Sequence, residues 1–169
     1  MPSSAPALPL PRLAWRVIAY LVLVAAATSF LRGSDRPSHG TQLAAVTVGV
    51  LRLIGEPAVH AGEVVSGAGF AMRVAPVCDG LDLGIILGLA ILLSPAPWRA
   101  RLTGTFLALA LTQIFNIGRL VVMFLVGVHL HEHFDLFHHV LWQAVAILFC
   151  VALYAVWLAR LPLAAGDRP

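Results

Sequence analysis

The chain has 169 residues, of which 60% are apolar and only 11% charged, whereas a soluble domain carries about 45–50% apolar and about 25% charged residues. This composition excludes an ordinary soluble globule and a disordered chain. The 11 basic residues are all arginine and form no run, which excludes a nucleic-acid-binding protein. Two cysteines are too few for a disulfide scaffold, and the length allows one domain, residues 1–169. The sequence therefore predicts a small integral membrane protein.

Four apolar segments are predicted to be transmembrane helices, because a membrane-spanning helix needs about 20 apolar residues. The segments are residues 13–31, 83–93, 102–130 and 140–158, and the second is short unless its flanking residues extend it. The first segment is longer than the apolar core of a usual signal peptide. An uncleaved signal anchor is therefore favoured over a cleaved signal.

The arginines predict how the chain is oriented in the membrane. Three pairs of arginines lie on the same predicted side of the membrane: Arg12 and Arg16, Arg99 and Arg101, and Arg160 and Arg168. The positive-inside rule places them in the cytoplasm, together with the tails formed by residues 1–11 and 161–169. Both termini are then cytoplasmic, and residues 32–77 form an extracytoplasmic segment.

Two elements are predicted within this extracytoplasmic segment. Residues 41–54 have helical periodicity but are too few to span, so an amphipathic helix is expected along the membrane interface. Residues 59–77 alternate loosely, with a turn at Gly67 and Gly69, and predict a β-hairpin that leads into Cys78. The expected fold is an all-α polytopic membrane protein with four transmembrane helices and this small helix and hairpin before Cys78.

Two reactive side chains lie at the predicted outer ends of the second and third spans. Arg119 shares a helical face with Thr112 and Asn116, and an ionisable residue inside a span is a functional hypothesis by default. The alternative is a structural arginine that extends towards the membrane surface. Cys78 precedes the second span, where a helix N-terminus favours the thiolate. Its alternative role is that of a small buried apolar residue.

Five histidines lie between the third and fourth spans: His129, His131, His133, His138 and His139. They allow a metal or haem site, but the usual zinc-binding spacing and a cysteine partner are missing, so no metal is predicted. A partly solvated loop is the other interpretation. Cys150 lies about 16 Å deeper than His139 on the fourth span, which predicts inert packing and excludes a disulfide with Cys78.

Three predicted helices thus bring a thiol, a guanidinium and an imidazole to the same membrane depth. A nucleophile, a cation for an oxyanion and a general base are the groups that acyl transfer through a thioester requires. Cys78 and Arg119 supply the first two, and His138 or His139 supplies the third.

The motifs around these residues resemble those of the exosortase/archaeosortase family of membrane cysteine transpeptidases, most closely its short exosortase H type. The motifs are Cys78-Asp79-Gly80-Leu81, Asn116-Ile117-Gly118-Arg119, and His138 followed by Trp142-Gln143. The resemblance covers residues 41–158. It implies an enzyme of Gram-negative inner membranes, with its active site facing the periplasm. Such an enzyme cleaves the C-terminal sorting signals of exported proteins, which consist of a short motif, a transmembrane helix and a basic cluster.

The resemblance also implies roles for individual residues. Cys78 is expected to be the nucleophile, Arg119 the oxyanion stabiliser and His138 the general acid and base, with His139 as the alternative base. Asn116 and Trp142 are supporting residues. Asp79 replaces the family's usual small polar residue; its charge disfavours the thiolate unless it pairs with Arg73.

No cofactor, metal or nucleic acid is implied; the expected partners are exported substrate proteins and membrane lipid. Two alternatives from other classes stay open. One is a non-catalytic membrane scaffold or assembly subunit. The other is a membrane protein that binds a metal or haem through the histidine cluster.

Overall fold

The computed structural model describes residues 10–33 and 37–161, which are mostly helical. The helices in this part of the chain are α1 (Leu10–Gly33), α2 (Pro37–Leu53), α3 (Leu81–Leu92), α4 (Trp98–His129), α5 (Phe134–Leu136) and α6 (Trp142–Ala159). The strands β1 (Val59–Ala61), β2 (Val64–Gly67) and β3 (Phe70–Arg73) lie between α2 and α3. Short 3-10 turns cover Pro76–Cys78 and His131–His133, and a π-helical turn covers Phe137–Leu141.

Two helical segments are long and apolar enough to cross a membrane: Trp98–His129 and His131–Ala159. They correspond to the third and fourth predicted spans, which are confirmed as helices of sufficient length. Val17–Phe30 and Leu81–Leu92 are shorter apolar helices. The helix α3 has 12 residues and is therefore about 18 Å long. The hydrocarbon core of a membrane is about 30 Å thick. That the first and second segments also cross the membrane stays a prediction.

Small residues let α3 and α4 approach closely. A Cβ added at Gly84 would lie 2.9 Å from the Thr112 hydroxyl oxygen, so the glycine removes a steric obstacle to this packing. Four residues after Gly84, the carbonyl oxygen of Gly88 accepts a hydrogen bond from the Thr105 hydroxyl at 3.1 Å. The pairing is antiparallel, so the N-terminal end of α3 lies beside the middle of α4.

The other long apolar helices pack around this pair. The Trp157 ring of α6 lies over Gly104 of α4, and its indole N–H donates to the Ala100 carbonyl at 3.3 Å. From α1, the Tyr20 hydroxyl donates to the Ile86 carbonyl of α3 at 3.1 Å. The resulting layer positions the end of α3 that follows Cys78.

Residues 37–75 pack as a small unit against the C-terminal third of α4. A core of buried residues joins α2, the sheet and α4: Leu43, Ala44, Val48, Leu51, Ala58, Val65, Val74, Leu120, Val121 and Phe124. The helix predicted over residues 41–54 is confirmed, although it begins earlier, at Pro37. Leu43, Ala44, Val48 and Leu51 of this helix pack into the core, whereas Val46, Leu53 and Ile54 are exposed. Its position along the membrane interface stays a prediction.

The sheet has three antiparallel strands in the order β1-β2-β3, so the single predicted hairpin was wrong in strand number. The turn at Gly67 and Gly69 is confirmed between β2 and β3, with Gly69 at φ +79°. The missed strand β1 is joined to β2 by a second turn, where Gly62 has φ +58°. Glycine adopts this left-handed conformation without the steric cost that other residues meet.

Candidate active site

The polar face of α4 points into the protein. Thr112, Asn116 and Arg119 are buried, with 1%, 1% and 8% of their surface exposed, which confirms that they share one face. The Thr112 hydroxyl bonds back to the Ala108 carbonyl of its own helix at 2.8 Å. The side chains of Asn116 and Arg119 instead reach residues outside the helix. An arginine in an apolar segment is retained where it has such a polar contact.

Cys78 is the residue that these two side chains contact. The Arg119 guanidinium donates through Nη2 to the Cys78 sulfur at 3.8 Å, and the Asn116 amide donates through Nδ2 to the Cys78 carbonyl at 3.0 Å. Cys78 is 8% exposed and ends the 3-10 turn, where its N–H donates to the Ala75 carbonyl at 2.7 Å. One helix therefore holds both the thiol and the backbone of Cys78.

Gly80 makes this close approach possible. Gly80 has φ +74°, a backbone conformation that residues other than glycine rarely adopt. A Cβ there would lie 2.7 Å from both Cβ and Cγ of Asn116. The glycine of the Cys78-Asp79-Gly80 motif therefore allows the turn after Cys78 to rest against Asn116.

Asp79 caps the start of α3, since its carboxylate accepts the Leu81 N–H at 2.9 Å. Burial raises the pKa of the Asp79 carboxyl, while the Leu81 hydrogen bond and the nearby His39 imidazole oppose this shift. The suggested pairing of Asp79 with Arg73 was wrong. Arg73 pairs with Glu63 at 3.1 Å, because the antiparallel register places Arg73 opposite Val64, the neighbour of Glu63.

The two candidate bases have different surroundings. His138 is half-buried in the π-helical turn, and its ring stacks on Phe134. His139 is exposed, and its Nδ1 lies 3.3 Å from the Asp135 carbonyl oxygen. Within the described residues, neither imidazole has a hydrogen bond to Cys78. The two rings therefore differ in burial and in stacking, not in a direct bond to the thiol.

Trp142 attaches the start of α6 to α4 beside this site. Its ring meets Phe115 edge-on at 5.7 Å, and Phe115 stacks on Phe149 at 4.2 Å. The buried indole N–H of Trp142 has no hydrogen-bond partner, and the same holds for Asn116 Oδ1 and Arg119 Nε. Two donors and one acceptor on these three residues are therefore buried without a hydrogen-bond partner.

The remaining histidines and the second cysteine lie apart from this arrangement. His129 approaches Glu56 at 3.5 Å, and His131 meets the Phe70 ring. Across residues 10–33 and 37–161, no three His, Cys, Asp or Glu side chains are grouped so that they could hold a metal ion. Cys150 packs against an apolar cluster that includes Leu87, and both cysteines are free.

Two aromatic residues near the candidate base were missed by the sequence analysis. Phe134 stacks on His138, and Phe70 contacts Phe134. The spacing of four residues between Phe134 and His138 could have indicated the first contact, since such residues share a helix face. No local pattern indicates the second, which joins β3 to α5.

Comparison with known proteins agrees with the arrangement of these motifs. A family model described as transmembrane exosortase matches residues 7–164, which is most of the chain. Searches of curated proteins and of solved structures found no match.

Proposed function

Because the chain belongs to the transmembrane exosortase family, whose members are generally cysteine transpeptidases, we propose that Cys78 is its nucleophile. Exosortases act on exported proteins that bear C-terminal sorting signals. The proposed function is cleavage of such a signal through a thioester on Cys78. The observation that carries it is the 3.8 Å contact between the buried Arg119 guanidinium and the Cys78 sulfur.

In the first step, the Cys78 thiol gives its proton to His138 and the sulfur attacks the scissile carbonyl carbon. A carbon–sulfur bond forms, and the carbonyl oxygen becomes an oxyanion. Arg119 stabilises that oxyanion, because a guanidinium that already contacts the sulfur is next to the carbon that the sulfur attacks. Fixed donors of this kind act strongly where water is excluded. The bond from Asn116 to the Cys78 carbonyl keeps the nucleophile's backbone in place.

In the second step, the oxyanion collapses and the peptide carbon–nitrogen bond breaks. His138 returns its proton to the leaving amine, which departs with the transmembrane part of the signal. An incoming amine, hydroxyl or water then attacks the thioester, loses its proton to His138 and releases the Cys78 sulfur, which takes that proton back. The same groups therefore serve either transfer to an acceptor or hydrolysis.

His138 is the proposed base rather than His139. The His138 ring is half-buried and stacks on Phe134, whereas the His139 ring is exposed and engaged with Asp135. Trp142, one turn after His138, fixes that part of the chain against α4. In addition, the unpaired N–H groups of Arg119 and Trp142 and the unpaired oxygen of Asn116 suit the carbonyl and N–H of a bound peptide.

The proposed site lies near one membrane boundary. Asn116 is about 27 Å along α4 from Trp98 at the usual rise per residue, which approaches the hydrocarbon thickness of about 30 Å. With both termini cytoplasmic, this boundary faces the periplasm. A substrate whose transmembrane helix packs among lipid and enzyme helices would then present its cleavage motif at Cys78. Such placement supplies orientation, which is a large part of catalysis.

The test is processing of an exported reporter protein that ends in a motif, an apolar helix and a basic cluster, encoded by the same genome. The reporter is co-expressed with the wild-type enzyme, Cys78→Ser or Cys150→Ser, and cleavage is followed by pulse-chase. We expect cleavage with the wild type and Cys150→Ser and none with Cys78→Ser, at equal membrane levels of all three proteins. If both serine variants cleave at wild-type rates, Cys78 is not the nucleophile. If no protein cleaves any such reporter, the non-catalytic scaffold is favoured.

A further inference from the structure

A chain of aromatic rings connects the candidate base to the strand that leads to Cys78. The rings of Phe134 and His138 are nearly parallel, at 10°, with centroids 5.8 Å apart. Phe134 also contacts Phe70 of β3, with centroids 5.4 Å apart. The contact between Phe70 and the core residue Phe124, at 5.9 Å, anchors the chain of rings in the protein interior.

Gly127 of α4 fixes the place of Phe70. A Cβ at that position would collide with the Phe70 ring, so the absence of a side chain lets the ring rest directly on the helix. Five residues after the end of β3 at Arg73, the chain reaches Cys78. The strand that begins with the support for Phe134 therefore ends five residues before the nucleophile.

We propose that Phe134 is a positioning residue, which holds the His138 imidazole in its working orientation and is itself held by Phe70. This inference rests on the proposed function, since it assigns the way in which the base of that reaction is oriented. An imidazole that rotates freely presents its nitrogen to the thiol only part of the time. A parallel ring on one face restricts that rotation, because stacked or edge-on aromatic pairs are favoured over other arrangements.

The contrast with His139 supports the argument. The only ring contact of His139 among the described residues is with His138, with centroids 4.7 Å apart and the ring planes at 78°. The His139 side chain is exposed. Two adjacent histidines thus differ in the support that their rings receive.

The first test replaces Phe134 with Leu or Tyr and uses Phe137→Leu as the matched control. Phe137 lies in the same turn as His138 and is half-buried, but it has no ring contact in the described part of the chain. General acid and base catalysis contributes about 10²–10⁴-fold, and we expect loss of orientation to remove about tenfold of it. In Phe134→Leu, kcat for the purified reporter should fall about tenfold with KM unchanged. Phe134→Tyr and Phe137→Leu should stay near the wild type. Equal kcat values for Phe134→Leu and Phe137→Leu would overturn the proposal.

The second test observes the imidazole directly and needs no substrate. Enzyme with isotope-labelled histidine is studied by NMR in detergent, and the His138 signals are assigned by their loss in His138→Asn. Phe134→Leu should remove the ring-current shift of the His138 signals, while Phe137→Leu should leave it. An unchanged His138 spectrum in Phe134→Leu would overturn the stacking.

Failure of this inference can be separated from failure of the proposed function. If Cys78→Ser still processes the reporter, the proposed function fails, whatever the Phe134 variants do. If Cys78→Ser is inactive while Phe134→Leu has wild-type kcat, only the positioning role fails.

Discussion

The two halves of α4 bury their inward faces in opposite ways. Towards its N-terminal end, Gly104 and Ala108 pack against apolar rings and side chains of α3 and α6, and Cys150 joins that cluster. Towards its C-terminal end, the same helix buries Asn116 and Arg119, both of which bond to Cys78. The first half combines close apolar packing with hydrogen bonds of neutral groups, from Thr105 to Gly88 and from Trp157 to Ala100. The second half keeps a charged group away from water, which is expensive unless that group has a specific partner.

The two cysteines make this comparison testable. Cys150 is half-exposed in the apolar half, whereas Cys78 is buried under a guanidinium and an amide. A cysteine that served only packing would need neither of these donors. The difference indicates that the C-terminal half of α4 is organised around one sulfur atom, and the predictions below remove parts of that organisation in order of expected effect.

Loss of the guanidinium should have the largest effect. In Arg119→Ala, reporter processing should fall by about 10²–10³-fold, the usual cost of losing an oxyanion donor. Arg119→Lys should recover part of the rate, because it restores the charge but not the planar donor geometry. Pulse-chase rates at matched membrane levels measure both variants.

The control for this prediction is Arg99→Ala. Arg99 is exposed at the other end of α4, where it lies over the Trp98 ring. Its removal should leave processing within about twofold, as expected of a surface residue outside the site. Equal effects of the two alanine substitutions would mean that Arg119 has no special relation to Cys78.

A methyl group at Gly80 should have an intermediate effect. It would meet Asn116 at 2.7 Å in a backbone conformation with positive φ, so Gly80→Ala should cost about 1–3 kcal/mol of stability. It should also slow processing by displacing Cys78 from Asn116. Thermal unfolding in detergent and pulse-chase rates measure the two consequences.

Gly118→Ala provides the matched control on α4. A Cβ at Gly118 meets no atom within 4 Å, and alanine in a helix interior is about 0.5–1 kcal/mol more favourable than glycine. This variant should therefore unfold at the same or a higher temperature and should process normally. If Gly80→Ala were equally harmless, the contact between the Cys78 turn and α4 would not hold the site together.

Local spacing predicted the part of the site that lies on a single helix. The interval between Asn116 and Arg119 put them on one face of α4, and both side chains do point at Cys78. The third and fourth predicted spans were confirmed as helices long and apolar enough to cross a membrane, since long apolar runs are visible in the sequence.

Contacts that depend on strand register could not be predicted in this way. The partner of Arg73 is Glu63, which lies in the turn between β1 and β2. The sequence analysis did not identify β1 as a separate strand. Likewise, Phe70 and Phe134 are 64 positions apart and meet only because β3 packs beside the end of α4. Such contacts depend on how the elements pack together. The apolar pattern within one element does not determine that packing.

The smallest predicted effect concerns the charge next to the nucleophile. Asp79→Asn keeps an oxygen that can accept the Leu81 N–H, so α3 keeps its cap, while a negative charge that opposes the thiolate is lost. In a Cys150→Ser background, Cys78 of this variant should react a few-fold faster with iodoacetamide at a fixed pH. Asp135→Asn, which removes an exposed carboxylate beside His139, should not change that rate.

The same substitution should change how stability depends on pH. Burial raises the pKa of Asp79 above its ordinary value of 3.8, so the folded state binds the proton more tightly than the unfolded state. The unfolding free energy of the wild type should therefore fall as the pH rises from 3.8 through the raised pKa, and this contribution is constant above it. Asp79→Asn should lack that fall. An identical pH dependence in the two proteins would mean that Asp79 is well solvated, and its charge would then be too screened to restrain Cys78.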